Sequence, residues 1–561
     1  MCTTWWLLLF LFHCFLATLP GFQVPESPGT ILKCQGLTAL HPVVLVPGIV
    51  TGGLELWEGK PCAGGLFRKR LWGGSFTETF KRPLCWLEHM SLHNETGLDP
   101  PEIRVRAVPG LVGADYFTPG YFVWAVLIEN LAKIGYEGKN LYMAAYDWRL
   151  SFQNTEVRDQ TLSRLKSKIE LMYRKNGNKK VVVVPHSMGT VYFLHFLKWV
   201  ETDPPVGGGR PGWCVKNIKA IMNIGPTFLG VPKTVTNLIF TEAKDIASVR
   251  AMDLGVLNSK YLGLQTLEHV MRMCRTWDSI MSLLPKGRET IWGKLDWLPE
   301  EGHVCNLPNK KLLQFSPFKY GRMISFGKEA FQLPSSQINV INYNDKNASN
   351  KYTAESVIDL LRYVAPKIMQ RAEGHFSHGI ADDLDDPKYA HYKYWSNPLE
   401  TKLPDVPDLE IYCLYGVGIP TERSFVYKQS TDRCRSSRFR IDNSVDGDED
   451  SCLKGGVCFV DGDESVPVMS AGFMCAKGWR GRTRFNPSGI ATYVREYRHK
   501  APARLLEGRG TESGAHVDIL GNVGLIEDIL RVAAGSTGAE IGGDRIHSNI
   551  LSMSDRINLW L

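Results

Sequence analysis

Lys179 to Gly189 reads KKVVVVPHSMG, an apolar run that ends in a turn bearing a serine. Four consecutive valines form an apolar run of strand length with no polar alternation, the signature of a strand buried on both faces. The run ends at Pro185, and Ser187 stands in the turn just before Thr190 to Val200, which reads as a helix. A strand, a sharp turn with a serine at its apex and a helix make the context of a nucleophile elbow. Such a turn needs small neighbours because strand and helix backbones pass close together, and Gly189 meets that need. Pro185 stands where a glycine is usual, and the plainer reading of the segment is a serine capping an ordinary strand-to-helix turn.

Outward from this segment the chain alternates between strand and helix patterns. His41 to Gly48 (HPVVLVPG) predicts a first buried strand running into a tight turn. Further strands are expected at Ile103 to Ala107, Leu141 to Ala144 and Glu410 to Tyr415, and helices at Phe122 to Ile134, Val157 to Arg174 and Leu525 to Ala534. Leu162, Leu165, Ile169 and Met172 share one face at helical spacing. Alternation of this kind implies an α/β fold with a parallel sheet covered by helices. Between Pro232 and Pro398 it fades into helical pieces and loops, which reads as a cap inserted between core strands. The expected organisation is therefore a leader over 1–25, a first core part over 37–231, a cap over 232–398 and a second core part over 399–561. The acidic run Asp446 to Asp450 lacks the spacing of a calcium loop and reads as a solvated loop.

Composition narrows the class. With 44% hydrophobic and 22% charged residues the chain is ordinary for a globular protein. The 65 basic residues are interleaved with 58 acidic ones, so no nucleic-acid partner is expected, while the net charge of +7 suits an anionic lipid surface. Residues 1–25 carry no Lys, Arg, Asp or Glu, and Trp5 to Leu19 is nearly all apolar. A helix of that length spans about 23 Å, short of a bilayer core of about 30 Å, so a signal peptide competes with a signal anchor. Either would deliver the rest of the chain to the secretory lumen. The 13 cysteines do not form zinc-spaced sets with histidines, so disulfides are the better reading. Sequons at Asn94 and Asn347 fit a lumenal address.

A serine hydroxyl becomes a useful nucleophile only when a general base takes its proton, and in this fold the partners follow in the order serine, acid, histidine. Asp463, in FVDGDESVPV, lies at the end of an apolar strand signal, with Asp461 as its close rival. His516, on a Gly-containing loop before the last apolar helix, is preferred among the 14 histidines. His186 adjoins the serine but is expected to point away, and His547 lies almost at the C terminus. The oxyanion of an acyl-transfer intermediate needs backbone N–H donors, and Met188 and Ile49 occupy the usual places.

With these residues in place, further stretches come into view: AAYDWRL (Ala144 to Leu150), NIGPTFLGVPK (Asn223 to Lys233), LLPKG (Leu283 to Gly287), IYCLYGVGIPTERSF (Ile411 to Phe425) and HVDILGN (His516 to Asn522). Together with HPVVLVPG, VVVVPHSMG and DGDESVPV they resemble the lecithin:cholesterol acyltransferase family from Leu37 to Leu561, most closely its plant-type phospholipid:diacylglycerol branch. The resemblance implies an α/β-hydrolase fold with Ser187, Asp463 and His516 as nucleophile, acid and base, and Ile49 and Met188 as oxyanion donors. It also implies a disulfide-closed lid loop between Cys62 and Cys85, a second disulfide between Cys413 and Cys475, and lid residues Phe67 and Trp72 touching lipid. Leu66, Leu71 and Phe76 lie in the same loop among Arg68, Lys69 and Arg70; the plainer reading is a packed loop. The implied activity is transfer of a fatty acyl group from phospholipid to diacylglycerol without acyl-CoA, metal or organic cofactor. A phospholipase that passes the acyl group to water is the alternative, and a lipid-binding protein without catalysis the non-enzymatic one. The implied location is the endoplasmic reticulum membrane with a lumenal catalytic domain, or else a secreted or vacuolar lumen. Two features depart from the family: Ser465 stands where a threonine is usual, and no basic arm precedes the apolar leader.

Overall fold

The computed structural model describes residues 26–74, 81–118, 121–239, 263–300, 304–305, 313–314, 321–326, 351–429, 439–446, 452–502 and 509–561. The expected leader over 1–25 and the sequon at Asn347 lie outside the described residues. Among the described residues no helix is long and apolar enough to cross a membrane.

The centre is a 6-stranded sheet: β1 Val43–Val46, β2 Leu141–Met143, β3 Val181–Pro185, β4 Ile218–Ile224, β5 Glu410–Val417 and β6 Ala491–Arg498, in the spatial order β6-β5-β4-β3-β1-β2. Every neighbouring pair is parallel. β1 and β3 are buried along their whole length, as continuous apolar runs must be when helices cover both sheet faces. The covering helices include α1 Ala125–Lys133, α2 Thr161–Lys175, α3 Met188–Val200 and α4 Val523–Ala533. Leu162, Leu165, Ile169 and Met172 form the buried face of α2, as their spacing predicts. The strand order reverses between β1 and β3, and in open parallel sheets the crevice beyond the strand ends at that reversal is where ligands bind.

Several local expectations are corrected. The helix expected from Val157 to Arg174 is two helices, Phe152–Asp159 and α2, broken at Gln160 in the left-handed region (φ 53°). Side-chain capping stabilises the break, because the Glu156 carboxylate reaches across it to accept the Ser163 N–H at 3.0 Å. The strand expected at Ile103 to Ala107 exists as Arg104–Ala107, but it pairs antiparallel with Leu54–Glu58 in a small separate sheet. β4 and β6 stand outside the strands expected from the sequence. In β6, Arg495 and Glu496 are buried, which hides the strand from a search for apolar runs.

A second 6-stranded sheet lies off the end of β5. Gly418, at φ 92°, turns the chain out of β5 into the strand Ile419–Gln429, which pairs antiparallel with Val457–Gly462 and parallel with Arg322–Phe326. Arg322–Phe326, like Lys351–Thr353 beside it, falls in a stretch read from sequence as helical pieces and loops.

Candidate active site

Ser187 sits between β3 and α3 with φ 55° and ψ −129°, a conformation that a non-glycine residue adopts only when its surroundings enforce it. The enforcing contacts hold its main chain on both sides: the Ser187 N–H donates to the Ile224 carbonyl of β4 at 2.9 Å, and Thr190 Oγ1–H donates to the Ser187 carbonyl at 2.7 Å. Crowding explains the glycines. A Cβ on Gly48 would lie 2.7 Å from Ser187 Cβ, and one on Gly189 would lie 2.6 Å from the Val46 carbonyl oxygen. The close approach therefore falls on Gly48 and Gly189, while Pro185 only closes the strand beside Val46.

His516 and Asp463 meet this serine. His516 Nε2 lies 2.8 Å from Ser187 Oγ, and His516 Nδ1 lies 2.7 Å from Asp463 Oδ2. An ionised carboxylate only accepts, so the ring proton is on Nδ1 and the bare Nε2 accepts from the serine hydroxyl. The other carboxylate oxygen, Oδ1, accepts from the Val466 N–H at 2.7 Å and the Ser465 N–H at 3.1 Å. Asp463 is carried by the strand Val457–Gly462 of the second sheet, outside the parallel sheet. Its rival Asp461 accepts the Gly418 N–H at 2.6 Å instead, within the turn that leaves β5. His547 lies elsewhere, its N–H donating to Glu496 at 2.5 Å.

Burial pulls the His516 pKa down, but the charge and hydrogen bond of Asp463, with a smaller contribution from Glu464, outweigh it and hold the ring above the ordinary value of 6.5. Gly225, at φ 50°, lies against this pair: a Cβ there would come within 3.0 Å of the His516 ring and 3.3 Å of Asp463 Oδ2. In the sequence Gly225 belongs to the NIGPTFLGVPK stretch, but no local pattern shows that it lies against the His516–Asp463 pair.

Ile49 follows Gly48 at the end of β1, and Met188 opens α3. Among the described residues neither N–H has an acceptor, which leaves both amides available at the strand ends. Thr51 Oγ1–H donates to the Gly48 carbonyl at 3.0 Å and closes this turn.

Cys62 is bonded to Cys85, and Cys413 of β5 to Cys475. Within the first loop the structure separates two residues that the sequence treats alike. Phe67 is 66% exposed and meets the exposed Trp57 edge-on at 6.1 Å. Trp72 is 6% exposed and packs among Trp86, Phe117, Trp148 and Trp277. Leu66 and Leu71 are also buried, and Phe76 lies outside the described residues. Among the described residues the exposed apolar side chains of the loop are Phe67 and Leu84, and Phe67 meets Trp57 from outside it, while Leu66, Leu71 and Trp72 pack into the core. In the cap segment, Trp277, Met281 and Leu284 are core side chains. The His/Cys/Asp/Glu group close enough to hold a metal among the described residues is Cys62, Cys85 and His89, and there the two sulfurs are bonded to each other.

A parallel sheet with a strained serine at its topological switch point, backed by a histidine and an aspartate from later in the chain, defines the class of α/β-hydrolase-type enzymes. The chain belongs to the lecithin:cholesterol acyltransferase family, whose model matches residues 66–523. It is 65% identical, over 100% of its length and 92% of the relative's, to a putative phospholipid:diacylglycerol acyltransferase 2 of Arabidopsis thaliana. It is 61% identical to phospholipid:diacylglycerol acyltransferase 1 of the same plant, over 100% of this chain and 91% of that one. The phospholipid:diacylglycerol acyltransferase of Saccharomyces cerevisiae is 35% identical over 90% of this chain and 72% of its own.

Proposed function

We propose that this protein transfers a fatty acyl group from a phospholipid to diacylglycerol, giving lysophospholipid and triacylglycerol, through an acyl-enzyme on Ser187. The observation that carries the reading is the unbroken line Ser187 Oγ to His516 to Asp463 in a chain that aligns end to end with relatives bearing that activity in their names. Ser187 Oγ attacks the ester carbonyl while His516 Nε2 takes the hydroxyl proton, and Asp463 stabilises the imidazolium that forms. The oxyanion collects the Ile49 and Met188 N–H groups, a contribution commonly of about 3–4 kcal/mol per donor. Collapse breaks the ester C–O bond, and His516 returns the proton to the departing lysophospholipid oxygen. A diacylglycerol hydroxyl then repeats the cycle: His516 takes its proton, its oxygen bonds to the acyl carbon, and Ser187 is released. Because bulk water is far more abundant than any lipid hydroxyl, transfer requires the acceptor to be oriented at high effective molarity in an apolar setting.

The exposed Phe67–Trp57 pair supports contact with a lipid surface, its apolar edges being placed to enter it, while Arg68, stacked 4.9 Å over the Trp57 ring, is paired with Glu55 at 2.8 Å. The Cys62–Cys85 and Cys413–Cys475 disulfides and the exposed sequon at Asn94 favour a lumenal catalytic domain, in the endoplasmic reticulum if residues 1–25 remain as an anchor. We further propose that the stretch 232–398 serves as a cap over the 37–231 and 399–561 core.

The deciding assay supplies labelled phospholipid in mixed micelles with increasing diacylglycerol. Labelled triacylglycerol should be the main product and free fatty acid a minor one. Free fatty acid dominating at every diacylglycerol concentration would replace the transferase reading with a phospholipase.

A further inference from the structure

His186 adjoins the serine and, read from the sequence, should point away from it. In the fold its ring is fully buried and lies 5.0 Å from the ring of His516. His186 Nε2 is 2.8 Å from the main-chain carbonyl oxygen of His516. A carbonyl only accepts, so Nε2 carries the proton and Nδ1 is bare. On the other side of the same residue, the His516 N–H donates to the Asp463 carbonyl at 2.9 Å. Both peptides flanking His516 are thus tied, one to the acid and one to the neighbour of the nucleophile.

The ring is suited to a fixed, uncharged role. Burial, reinforced by the facing His516, pushes its pKa down to about 3, so it stays a neutral donor across the working range. Trp124, at the start of α1, meets it edge-on with centroids 6.0 Å apart. The Trp124 indole N–H and His186 Nδ1, a donor and an acceptor, are both buried without a partner among the described residues. The titratable groups facing His516 are Asp463, Glu464 and His186, and the one facing His186 is His516.

We propose that His186 is a positioning residue for acyl transfer, its Nε2–H holding the His516 main chain so that the imidazole stays on the line between Ser187 and Asp463. The inference rests on the triad reading given above. Displacing a reacting group by about 1 Å can cost a hundredfold in rate, so one anchoring hydrogen bond at the base is enough to matter. Since His186 lies behind the elbow and is closed to solvent, the anchor acts on the chemical step and leaves lipid binding alone.

The test compares His186→Gln, whose amide can donate from the position of Nε2, with His186→Phe, which keeps a ring and loses the donor, and His186→Asn, whose donor stops short. Each full-length variant is followed by labelling with an alkyl fluorophosphonate, which reads serine activation without an acceptor, and by kcat and KM for phospholipid against pH. The Phe and Asn variants should lose about 30-fold or more in kcat and labelling with KM nearly unchanged, and their acidic limb should move to lower pH as His516 loosens from Asp463. The Gln variant should stay within about fivefold with its limb in place. If Phe does not fold, the Gln and Asn pair decides the matter alone. The proposal is overturned if Phe or Asn keeps wild-type rates, or if Gln falls as far as they do. Undiminished labelling of Ser187→Ala would instead overturn the triad itself, whatever the His186 variants do.

Discussion

The indole N–H of Trp72 donates to the main-chain carbonyl of Val50 at 2.7 Å, tying the disulfide-closed loop to the turn that follows β1. Val50 is β-branched yet has φ 58°, a left-handed conformation that needs support. The residue before it is Ile49, whose N–H is the proposed oxyanion donor. Trp72→Phe should therefore slow acyl-enzyme formation by about fivefold, the scale of one neutral hydrogen bond of about 1 kcal/mol, while vesicle binding is kept. Phe67→Ala should do the opposite, weakening sedimentation with liposomes and sparing turnover of a soluble short-chain ester. If Trp72→Phe lost only vesicle binding, the division of labour between the two residues would be wrong.

Ser187→Ala, Asp463→Asn and His516→Ala should each lower acyl transfer by about 10³-fold or more, and combining them should add little, because the three act as one unit. Circular dichroism and thermal melting should remain near wild type. Wild-type turnover in any one of the variants removes that residue from the reaction.

The pH dependence has a definite sign. His516 must be unprotonated to accept the serine proton, and its pKa lies above 6.5, so activity should fall as pH drops through a midpoint above 6.5. Glu464 is one of the charges that raise it, so Glu464→Gln should move that limb to lower pH without abolishing activity. A limb that stays in place, or moves to higher pH, contradicts the electrostatic account.

Gly225→Ala should fold and yet be severely impaired. The added carbon would press on His516 at 3.0 Å, in a backbone conformation (φ 50°) that costs an alanine about 1 kcal/mol or more. Loss of fluorophosphonate labelling with only a small drop in melting temperature is the expected pair of results. Normal labelling would mean that the His516–Asp463 pair has room that the structure denies it.

Peptide mapping without reduction should recover Cys62 with Cys85 and Cys413 with Cys475, the pairs that close 23 and 62 residues of separation. In the chain-entropy model each is worth about 3–4 kcal/mol, so Cys413→Ala with Cys475→Ala should lower the melting temperature by many degrees. Recovery of these four thiols free would remove both the pairs and the main support for a lumenal catalytic domain.

Whatever is encoded over a few neighbouring residues is legible in the amino-acid sequence. The valine runs of β1 and β3 announce strands because only a doubly covered sheet can bury them, and the apolar face of α2 announces its side of the core. The turn at Ser187 was legible for the same reason, and chain order together with strand context singled out Asp463 and His516. Features that depend on partners far apart in the chain emerge only in the folded molecule. Ser187 and His516 meet across 329 residues, and the strand that delivers Asp463 belongs to a second sheet that no local pattern specifies. β6 could be a strand despite its buried Arg495 and Glu496 because Asp528 and Ser548 arrive from later segments to satisfy them. Trp72 and Phe67 have the same local character, and His186 is fixed by an acceptor 330 residues away. Which apolar ring is buried, and which nitrogen of a histidine is bonded, is settled by the side chains that the fold brings beside them. Periodicity along one segment carries no record of those neighbours.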